Sequence, residues 1–484
     1  MNAALENSDL LLTRGWIDGK EIDSDQQFAV VNPATLTEVA NVSDLGAAHA
    51  RAAIGAATAA FAEWKTAPMA DRVNAILKWA DLIEQNAEDL CQIICLENGK
   101  PLGQARGEAL QCASLLRWFA EQAGQLQGTT LPEQDSGQRN HTIKQPIGVV
   151  ACITPWNFPA AAVIVKAGAA IVTGCTTIVK PSEETPLIAL AFARLASSAN
   201  IRDGVFNVLP CKSPAEIGNE LCQSPDVRML SFTGSISVGK QLYAASGSTV
   251  KRLALELGGN APFIIFKDAD LDRALDGAMG ARFYNSGQIC VGANRFFVHT
   301  SIYQEFADRL AARVSTLQAG DGFDESSDVG PMINRAAVDR LKNLVSSAQK
   351  QGAEVLAGGG QVDASTLFFS PTVLANMTPD MPAYRTEIFG PIACLYEFEN
   401  DEEVLEFAND TEAGLSAYVY SRDSRRLSRF SDALEAGVIG ANSANIFAND
   451  LPFGGVKQSG LGREHGAQCL EEYVETKSIC MGPE

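Results

Sequence analysis

The sequence predicts an α/β protein with two mainly parallel, doubly wound sheets. Short apolar, β-branched runs alternate with helix-like segments from about residue 148 to 266, and a second alternating region continues from Glu256 to about residue 440. Strands separated by helices build parallel sheets, which bind ligands at the carboxyl ends of their strands. The chain of 484 residues is also too long for one hydrophobic core, because single cores stop growing near roughly 250–300 residues.

The predicted elements follow the chain in order. Residues 47–122 have helical apolar periodicity, with a break at Asn98–Gly99. The strands predicted after them are Val149–Ile153, Thr176–Val179, Val205–Val208, Leu230–Phe232, Leu253–Leu255 and Phe263–Phe266. The helices predicted between these strands are Leu187–Ala196, Ala215–Cys222 and Ser237–Ala245.

Charge and composition exclude several classes of function. The net charge of −20 repels nucleic acid phosphates and anionic lipid, so we expect neither a nucleic acid nor a membrane partner. Eleven cysteines without a CxxC pair and four scattered histidines form no metal-ligand pattern, so no metal is expected. The first residues lack the basic and apolar regions of a secretory signal, and we expect a cytoplasmic location.

Cys290 is the first candidate for a chemical role. It lies in the segment FYNSGQICVGANR (Phe283–Arg295), where a Ser-Gly pair ends a helix-like stretch and small polar residues surround the cysteine. A thiol in such a loop can be approached by a substrate, whereas a packing cysteine such as Cys152 lies inside an apolar run. Taken alone, the segment leaves both a catalytic and a packing role open.

Two polar residues at predicted strand ends are further candidates. Glu256 ends the apolar strand in LALELGGNA (Leu253–Ala261), so it is either a paired core carboxylate or an acid–base group tuned by burial. Asn157 lies in the proline-bounded turn of ITPWNFP (Ile153–Pro159), where a side-chain amide is either structural or a donor to an oxyanion.

The segment GSISVGKQ (Gly234–Gln241) comes close to a phosphate-binding P-loop, which gives an alternative class of function, a phosphotransferase. Gln241 occupies the position of the hydroxyl that holds magnesium, so the nucleoside-triphosphate interpretation loses its metal ligand. Gly234 and Ser235 still precede a predicted helix start, whose backbone N–H groups attract a pyrophosphate.

Four segments occur together in one known family. WNFP, LELGGNAP, GQxCxxANR and the late PFGGVKQSGLGRE stand in the order and at the separations found in the aldehyde dehydrogenase superfamily. The chain resembles that superfamily over essentially its whole length. It is most similar to the succinate-semialdehyde dehydrogenase branch, because FTGS, KPSEETP and EIFGP (Glu387–Pro391) are also in place.

The resemblance implies a mechanism. The nucleophile falls on Cys290, the general base on Glu256 and the oxyanion amide on Asn157, with the backbone N–H of Cys290 as a second oxyanion donor. The implied reaction oxidises an aldehyde to its acid through a cysteine thiohemiacetal and thioester, with hydride transfer to a nicotinamide cofactor. The glutamate favours hydrolysis over transfer to coenzyme A. A non-catalytic member of the family is the other alternative, disfavoured because all three residues are present.

The resemblance also implies the cofactor contacts, at the adenosine ribose, the pyrophosphate and the nicotinamide ribose. Glu183 favours NAD, because a carboxylate binds both ribose hydroxyls and repels the 2′-phosphate of NADP; Lys180 and Ser182 still allow NADP if Glu183 turns away. The expected cofactor-binding residues are Ile153, Thr154, Pro155, Trp156, Lys180, Ser182, Glu183, Gly234, Ser235, Leu257, Gly258, Glu387 and Phe389.

The expected substrate pocket departs from that branch. Val165 stands where the branch has an arginine that grips the substrate carboxylate, and Phe447 where it has a serine, while Arg295 is retained as an anion contact. Losing a bidentate cation removes charge-assisted hydrogen bonds worth about 1.5–3 kcal/mol each. Two substrates stay open: a semialdehyde such as succinate semialdehyde, with Lys166 or another cation replacing the arginine, or an aromatic or medium-chain apolar aldehyde. The expected tunnel walls are Phe119, Phe158, Tyr284, Phe447 and Phe453.

The resemblance finally implies three parts and a homodimer or homotetramer. Residues 1–127 and 148–256 form a Rossmann-like cofactor-binding domain, residues 257–469 a catalytic domain, and residues 128–147 and 470–484 a small β oligomerisation element. Gly292 stands where many of these enzymes have a second cysteine, so we expect no intramolecular disulfide to Cys290.

Overall fold

The computed structural model of the protein describes residues 5–132 and 137–482. The parts of the expected domains at residues 1–4, 133–136 and 483–484 lie outside the described residues. The described chain begins with two antiparallel hairpins, β1 (Gly15–Ile17) with β2 (Lys20–Ile22) and β3 (Gln27–Val31) with β4 (Glu38–Ser43). The next four elements are the helices α1 (Ala47–Trp64), α2 (Met69–Gln85), α3 (Ala87–Asn98) and α4 (Leu102–Gln122).

These helices confirm the prediction for residues 47–122, including the break between α3 and α4. Gly99 ends α3 with a left-handed φ of 82°, a conformation that glycine adopts without a steric penalty. A Cβ at this position would lie 2.6 Å from the side chain of Pro331, so only glycine allows the chain to turn here.

The first sheet follows the strand β5 (Arg139–Pro146). It contains the five strands β6 (Val149–Ile153), β7 (Thr176–Lys180), β8 (Phe206–Val208), β9 (Val227–Gly234) and β10 (Arg252–Leu257), separated by the helices α5 (Pro159–Thr173), α6 (Leu187–Ser198), α7 (Pro214–Gln223) and α8 (Ile236–Ser246). The five strands are parallel in the order β8-β7-β6-β9-β10. The predicted strands and helices of this region are confirmed, with shifted ends.

The order of these strands creates a switch point. From β6 the chain winds outward through β7 to β8, and it then returns to the other side of β6 to form β9 and β10. The connections therefore diverge between the carboxyl ends of β6 and β9, which opens the crevice where doubly wound sheets bind ligands. Thr154 and Pro155 follow β6, and Gly234 is the last residue of β9.

The second sheet belongs to the second half of the chain. Its strands are β11 (Ala261–Ile265), β12 (Ala293–His299), β13 (Glu354–Ala357), β14 (Thr372–Ala375), β15 (Ile392–Phe398), β17 (Ser416–Tyr420) and β18 (Val438–Ala441), in the order β13-β14-β15-β12-β11-β17-β18. All neighbours except β13 and β14 are parallel. The helices of this half are α9 (Leu271–Phe283), α10 (Tyr303–Val314), α11 (Arg335–Lys350), α12 (Asp401–Asn409) and α13 (Ser424–Ala433).

The predicted strand Phe263–Phe266 proves to belong to this second sheet rather than to the first. It forms most of β11, which pairs with β12 and β17. No helix separates β10 from β11. The glycine pair Gly258–Gly259 lets the chain leave the first sheet at once and enter the second.

The C-terminal segment returns to the first sheet. The short strand β20 (Gly460–Leu461) pairs antiparallel with β10, and β1 pairs antiparallel with β8, so that this sheet has eight strands with β2 at the far edge. The strands β16 (Ala413–Gly414) and β19 (Val456–Lys457) pair with each other. The last strand, β21 (Val474–Met481), pairs with β5 along its whole length and forms a separate two-stranded ribbon.

Both faces of each sheet are buried. In β6, Val150 and Cys152 pack into one hydrophobic cluster, whereas Val149 and Ala151 pack into another on the opposite face. This alternation follows from the period of two along a strand, and it explains why the strands read as continuous apolar runs. Within the described ranges, no helix has the length and apolarity needed to cross a membrane.

Candidate active site

A cavity of about 680 Å³ opens at the carboxyl ends of β6, β9 and β10. Its other walls come from the loop before β12, the loop before β15 and the C-terminal segment. The side chains of Cys290, Glu256 and Asn157, from three separate parts of the sequence, all line it. The structure thus brings the three predicted catalytic residues together.

The loop that carries Cys290 is held in a fixed shape. It leaves α9 through a turn in which Asn285–Ser286 have left-handed φ angles of 48° and 56°. The fully buried guanidinium of Arg282 donates to the carbonyl of Gly287 (2.6 Å) and to that of Ala293 (3.0 Å), which ties the loop at both ends. Cys290 lies between these two hydrogen-bonded positions, and its half-buried thiol lines the cavity.

The surroundings of Cys290 favour the protonated thiol. Burial raises the pKa of Cys290 well above its usual value, and the carboxyl groups of Glu256 and Glu387 raise it further. The reactive species of a cysteine is the thiolate. A base or a positive charge near the sulfur is therefore needed before Cys290 can act as a nucleophile.

Glu256 has the environment of an acid–base group rather than of a paired core carboxylate. It lies near the end of β10 with 5% of its surface exposed, and its Oε1 has no hydrogen-bond partner among the described residues. Burial raises the pKa of Glu256 well above its usual value; the nearby Glu464 raises it further, while Lys166 and Arg463 lower it. A raised pKa favours the protonated carboxyl group and suits a residue that exchanges protons during a reaction.

Asn157 is held from both sides. Its backbone carbonyl accepts hydrogen bonds from Lys100 Nζ (2.9 Å) and Asn285 Nδ2 (2.9 Å). Its side-chain Nδ2 donates to the carbonyl of Gln288 (3.0 Å), which leaves one of its two N–H groups for a ligand. A donor fixed in this way stabilises a developing oxyanion without reorganising.

A buried ion pair supports the turn that contains Asn157. Lys100 and Glu108, both almost fully buried, are bonded to each other. Glu108 Oε1 also accepts the backbone N–H groups of Ala160 (3.0 Å) and Ala161 (3.1 Å) at the start of α5. The pair therefore connects α4, the turn and α5 into one rigid unit.

Eight of the predicted cofactor-binding residues line the same cavity. They lie after β6, at the carboxyl ends of β9 and β10 and in the loop before β15. They are Pro155, Trp156, Gly234, Ser235, Leu257, Gly258, Glu387 and Phe389. The other five are Ile153, Thr154, Lys180, Ser182 and Glu183, which lie at the carboxyl ends of β6 and β7 and outside the cavity lining. The backbone N–H of Thr154 donates to the carbonyl of Lys180 (3.1 Å), and Lys180 Nζ lies 3.5 Å from Glu183 Oε2.

Glu387 is the most perturbed acid on the cofactor side. Burial raises the pKa of Glu387 to about 7, although it accepts the backbone N–H of Gly259 (3.2 Å) and lies near Arg340. A Cβ at Gly258 would lie only 2.5 Å from Glu387 Oε2, so a glycine is needed for this approach. Phe389 has a left-handed φ of 46°.

Aromatic side chains form another part of the cavity. Phe158 and Tyr284 are stacked with ring centroids 6.3 Å apart, and Phe447 and Phe453 with centroids 4.9 Å apart. Val165 lines the cavity together with these four residues. This part of the cavity can hold the carbon chain of a substrate.

The comparisons with known proteins agree with this arrangement. The family described as "Aldehyde dehydrogenase family" matches residues 16–479. The chain belongs to this family. It is 45% identical to the mitochondrial succinate-semialdehyde dehydrogenase of Oryza sativa subsp. japonica, covering 98% of this chain and 90% of the relative. It is 43% identical to GabD of Escherichia coli (strain K12), a succinate-semialdehyde dehydrogenase named for NADP(+), with 99% of both chains covered.

Solved structures of similar dehydrogenases also match the chain over almost its whole length. The crystal structure of succinate-semialdehyde dehydrogenase from Burkholderia pseudomallei matches with a TM-score of 0.98 and 45% identity, over 99% of this chain and 100% of that one. A structure described as an E. coli NADP dependent enzyme matches with a TM-score of 0.97 and 42% identity, over 99% and 100% of the two chains. The predicted family and fold class are confirmed, and the protein is an NAD(P)-dependent aldehyde dehydrogenase.

The prediction that Arg295 binds a substrate anion is wrong. This side chain is fully buried and donates to the backbone carbonyls of Asn260 (2.9 Å), Phe407 (2.8 Å) and Ala408 (2.9 Å). Its guanidinium also lies over the ring of Tyr384, 5.2 Å from the centroid. In this dehydrogenase Arg295 connects β12 to the C-terminal end of α12 and is not among the residues that line the cavity.

Two further expectations about the substrate pocket are also wrong. Phe119 is fully buried in the core between α4 and α5, with its ring against Gly168, and it is not part of the cavity wall. Lys166 is fully buried and is bonded to Glu464, so it does not replace the missing arginine in the cavity. Phe119 packs into the core from α4, whereas Lys166 lies behind the cavity wall, against Glu464.

The dehydrogenase has lining residues that sequence reasoning did not select. Glu464 is the last residue of the recognised segment PFGGVKQSGLGRE, and His465 follows it directly. Arg340 lies in α11, outside every recognised motif. The position of Glu464 within that motif was a signal that could have identified it. His465 and Arg340 carried no such signal.

Proposed function

We propose that this dehydrogenase oxidises a short semialdehyde, such as succinate semialdehyde, to the corresponding dicarboxylic acid. The observation that carries the proposal is the convergence of Cys290, Glu256 and Asn157 on one cavity at the switch point of the first sheet. The substrate class rests on the relatives, which are named for succinate semialdehyde, glutarate semialdehyde and 3-sulfolactaldehyde.

The residues at the switch point fit a dinucleotide. Ser235 caps α8, and the backbone N–H groups at this helix start suit a pyrophosphate. Thr233 Oγ1 is buried in the cavity wall without a partner among the described residues, and Glu387 presents a carboxyl group to bind ribose hydroxyls. When bound, NAD(P)+ accepts the hydride that the substrate loses. The rest of the cofactor would be held by Pro155, Trp156, Gly234, Leu257, Gly258 and Phe389.

The first half of the reaction forms a bond between the sulfur of Cys290 and the aldehyde carbon. The thiol of Cys290 first loses its proton to water, and the thiolate sulfur attacks the aldehyde carbon. The carbonyl oxygen becomes an oxyanion, which Asn157 Nδ2 and the backbone N–H of Cys290 stabilise by donating hydrogen bonds. Loss of hydride from the thiohemiacetal carbon restores the C=O bond and leaves a thioester on Cys290.

The second half of the reaction hydrolyses that thioester. Glu256 removes a proton from water as the oxygen attacks the acyl carbon, and the C–S bond breaks to release the acid and the thiol. Glu464 lines the same cavity and acts on the pKa of Glu256, so it is placed to receive the surplus proton. Both carboxyl groups line the cavity, and the presence of Glu256 as a base supports hydrolysis rather than acyl transfer.

The experiment that tests this proposal replaces Cys290 with serine. Cys290→Ser is expected to abolish NADH formation from succinate semialdehyde while cofactor binding, measured by fluorescence titration, stays within twofold of wild type. Cys480→Ser is the matched control, because Cys480 is exposed on β21. Full activity of Cys290→Ser would contradict the proposal, and an inactive wild type would support the alternative of a non-catalytic family member.

A second substrate class has one observation in its favour. The stacked pairs Phe158–Tyr284 and Phe447–Phe453 give the cavity an apolar wall that suits an aromatic or medium-chain apolar aldehyde. Comparing kcat/KM for succinate semialdehyde, benzaldehyde and hexanal decides between the two classes. A preference for the last two would reject the semialdehyde.

We also propose NAD as the preferred cofactor, with NADP possible. Glu183 is two-thirds buried beside Lys180, where its carboxylate can accept both ribose hydroxyls and oppose a 2′-phosphate. The relative GabD is named for NADP(+), which supports the possibility of using both.

The domain division and the assembly are part of the proposal. Residues 1–127 and 148–256 are proposed to bind the cofactor, residues 257–469 to supply Cys290, and residues 128–147 and 470–484 to join subunits. The β5–β21 ribbon supports this, since Ile143 and Met481 expose 39% and 53% of their surface on it. We propose a homodimer or homotetramer in the cytoplasm, where eleven free cysteines are compatible with a reducing environment.

A further inference from the structure

The far end of a semialdehyde carries a carboxylate that needs a polar partner in the cavity. Among the lining residues that the structure describes, Arg340 is the only arginine or lysine. It is already engaged, because it donates to the backbone carbonyls of Ile388 (2.6 Å) and Phe389 (3.3 Å) on the cofactor side. The carboxylate must therefore be received by a different donor.

His465 has the properties of a residue kept for a ligand. It lines the cavity with only 9% of its surface exposed, and its Nδ1 has no hydrogen-bond partner within the described part of the chain. Leaving a buried polar atom unpaired is unfavourable, and native proteins usually satisfy such atoms with a partner, a water or a ligand. The described residues therefore leave the hydrogen bonding of this cavity-lining imidazole incomplete, and a ligand or a water can complete it.

The backbone at His465 adds an independent observation. Its φ is 55°, in the left-handed region that side chains other than glycine seldom adopt, and Gly466 follows at a φ of 60°. Strain of this kind at a non-glycine residue is concentrated at functional sites. A histidine retained in a conformation that favours glycine points to a role for the imidazole itself.

The other polar side chains of the substrate wall are less suited to this task. Asn445 and Tyr284 are exposed and Gln111 is partly exposed, so water can satisfy their polar atoms. The ring of His465 packs edge-on against Phe453, with centroids 6.2 Å apart, and Phe453 is stacked on Phe447. The imidazole thus stands at the end of an aromatic wall, where a donor can reach the tail of a short carbon chain.

We propose that His465 binds the far carboxylate of the semialdehyde by donating a ring N–H to it. This proposal rests on the proposed function. It assigns to one neutral donor the task that an arginine would otherwise perform.

The charges around the ring agree with a neutral donor. Burial lowers the pKa of His465, Glu464 raises it and Lys166 lowers it, so that the imidazole is uncharged at neutral pH. The carboxylate of Glu464 also lines the cavity, but its charge is compensated by the bond to Lys166. A substrate carboxylate can therefore approach His465 without facing an uncompensated negative charge.

The test compares two variants on two substrates of equal chain length, succinate semialdehyde and butanal. His465→Gly removes the donor and relaxes the left-handed backbone, so folding is not endangered. We expect it to lower kcat/KM for succinate semialdehyde by about 10-fold or more, mainly by raising KM. This is the size expected when a hydrogen bond to a charged group is lost. The kcat/KM for butanal is expected to stay within twofold of wild type.

His465→Asn serves as the rescue variant, because asparagine tolerates left-handed φ angles and retains an N–H donor. It is expected to recover most of the lost kcat/KM for succinate semialdehyde. His299→Asn is the matched control, since His299 lies in β12 outside the cavity lining. It is expected to change neither substrate.

Two results would overturn the assignment. An equal loss for both substrates in His465→Gly would show that the ring acts in packing or proton transfer. An unchanged kcat/KM for succinate semialdehyde would show that another group binds the tail, while the proposed function itself would stand. The proposed function fails separately, if wild-type enzyme oxidises butanal but not succinate semialdehyde.

Discussion

The ammonium group of Lys166 is bonded to the carboxylate of Glu464, and both charges act on Glu256. Lys166 is almost fully buried in α5, and Glu464 reaches it from the C-terminal segment with 14% of its side chain exposed. Because Glu464 raises the pKa of Glu256 and Lys166 lowers it, the pair adjusts the proton affinity of the proposed general base.

The first prediction concerns the direction of that adjustment. Glu464→Gln removes a negative charge, so the pKa of Glu256 falls and the acid limb of the pH profile of kcat moves to lower pH. Lys166→Met removes a positive charge and moves the same limb to higher pH. Glu471→Gln is the control, because Glu471 pairs with Lys144 on the surface and away from the cavity. Shifts in the same direction for the two cavity variants would refute this role of the pair.

The second prediction separates the two halves of the reaction. Glu256→Gln leaves Cys290 and Asn157 in place but removes the base that activates water. Steady-state kcat is expected to fall by about 100–10,000-fold, the usual contribution of a general base. Rapid mixing should still show a burst of NADH of up to one equivalent per active site. Glu325→Gln, in an exposed loop, is the control and should leave both phases unchanged. A slow linear trace without a burst in Glu256→Gln would contradict the prediction, because it would place the role of Glu256 before hydride transfer.

The third prediction concerns the buried pair beneath the turn of Asn157. Lys100→Met leaves Glu108 buried without its charged partner, which is expected to lower the free energy of unfolding by about 3–5 kcal/mol. Arg202→Met breaks the exposed pair with Glu63 and should cost less than about 1 kcal/mol. Denaturant unfolding of the two variants and wild type measures both values. Similar small losses for both would show that the buried pair does not hold the turn.

The fourth prediction concerns the choice of cofactor. Glu183→Ser removes the carboxylate that opposes a 2′-phosphate, so the ratio of kcat/KM with NADP to that with NAD is expected to rise about 10-fold or more. Glu216→Ser, which removes an equal charge from the exposed side of α7, should leave the ratio unchanged. A rise with Glu216→Ser as large as with Glu183→Ser would indicate a general effect of net charge instead.

The fold could be predicted from the sequence because its strands are short apolar runs separated by longer helix-like segments. The three catalytic candidates could be placed at strand ends or in loops, and the motifs then identified their family. The assignment of Phe263–Phe266 to a sheet was beyond sequence reasoning, because an apolar run of this length fits either sheet. Only the pairing of β11 with β12 and β17 decides it.

Side-chain direction explains the errors in the substrate pocket. Arg295 and Phe297 are two residues apart in β12 and therefore share a face, and Phe297 packs in the core on the side away from Cys290. The guanidinium of Arg295 follows that direction and lies 5.5 Å from the ring centroid of Phe297. A motif identifies the residue at a position, but the face on which it lies depends on the register of the strand.

His465 shows a different limit of sequence reasoning. A histidine after a recognised motif has no periodicity from which its conformation could be inferred. Its left-handed φ and its unpaired Nδ1 arise from the way the C-terminal segment folds back over α5 and Phe453. These features become visible only when the tertiary structure is known.

Cys290, and no other of the eleven cysteines, is expected to carry the substrate during the reaction. The most direct measurement is mass spectrometry of Glu256→Gln after mixing with succinate semialdehyde and NAD+ and quenching in acid. We expect one added acyl group per chain, located on the peptide that contains Cys290. An acyl group on a different cysteine, or none despite a burst of NADH, would contradict it.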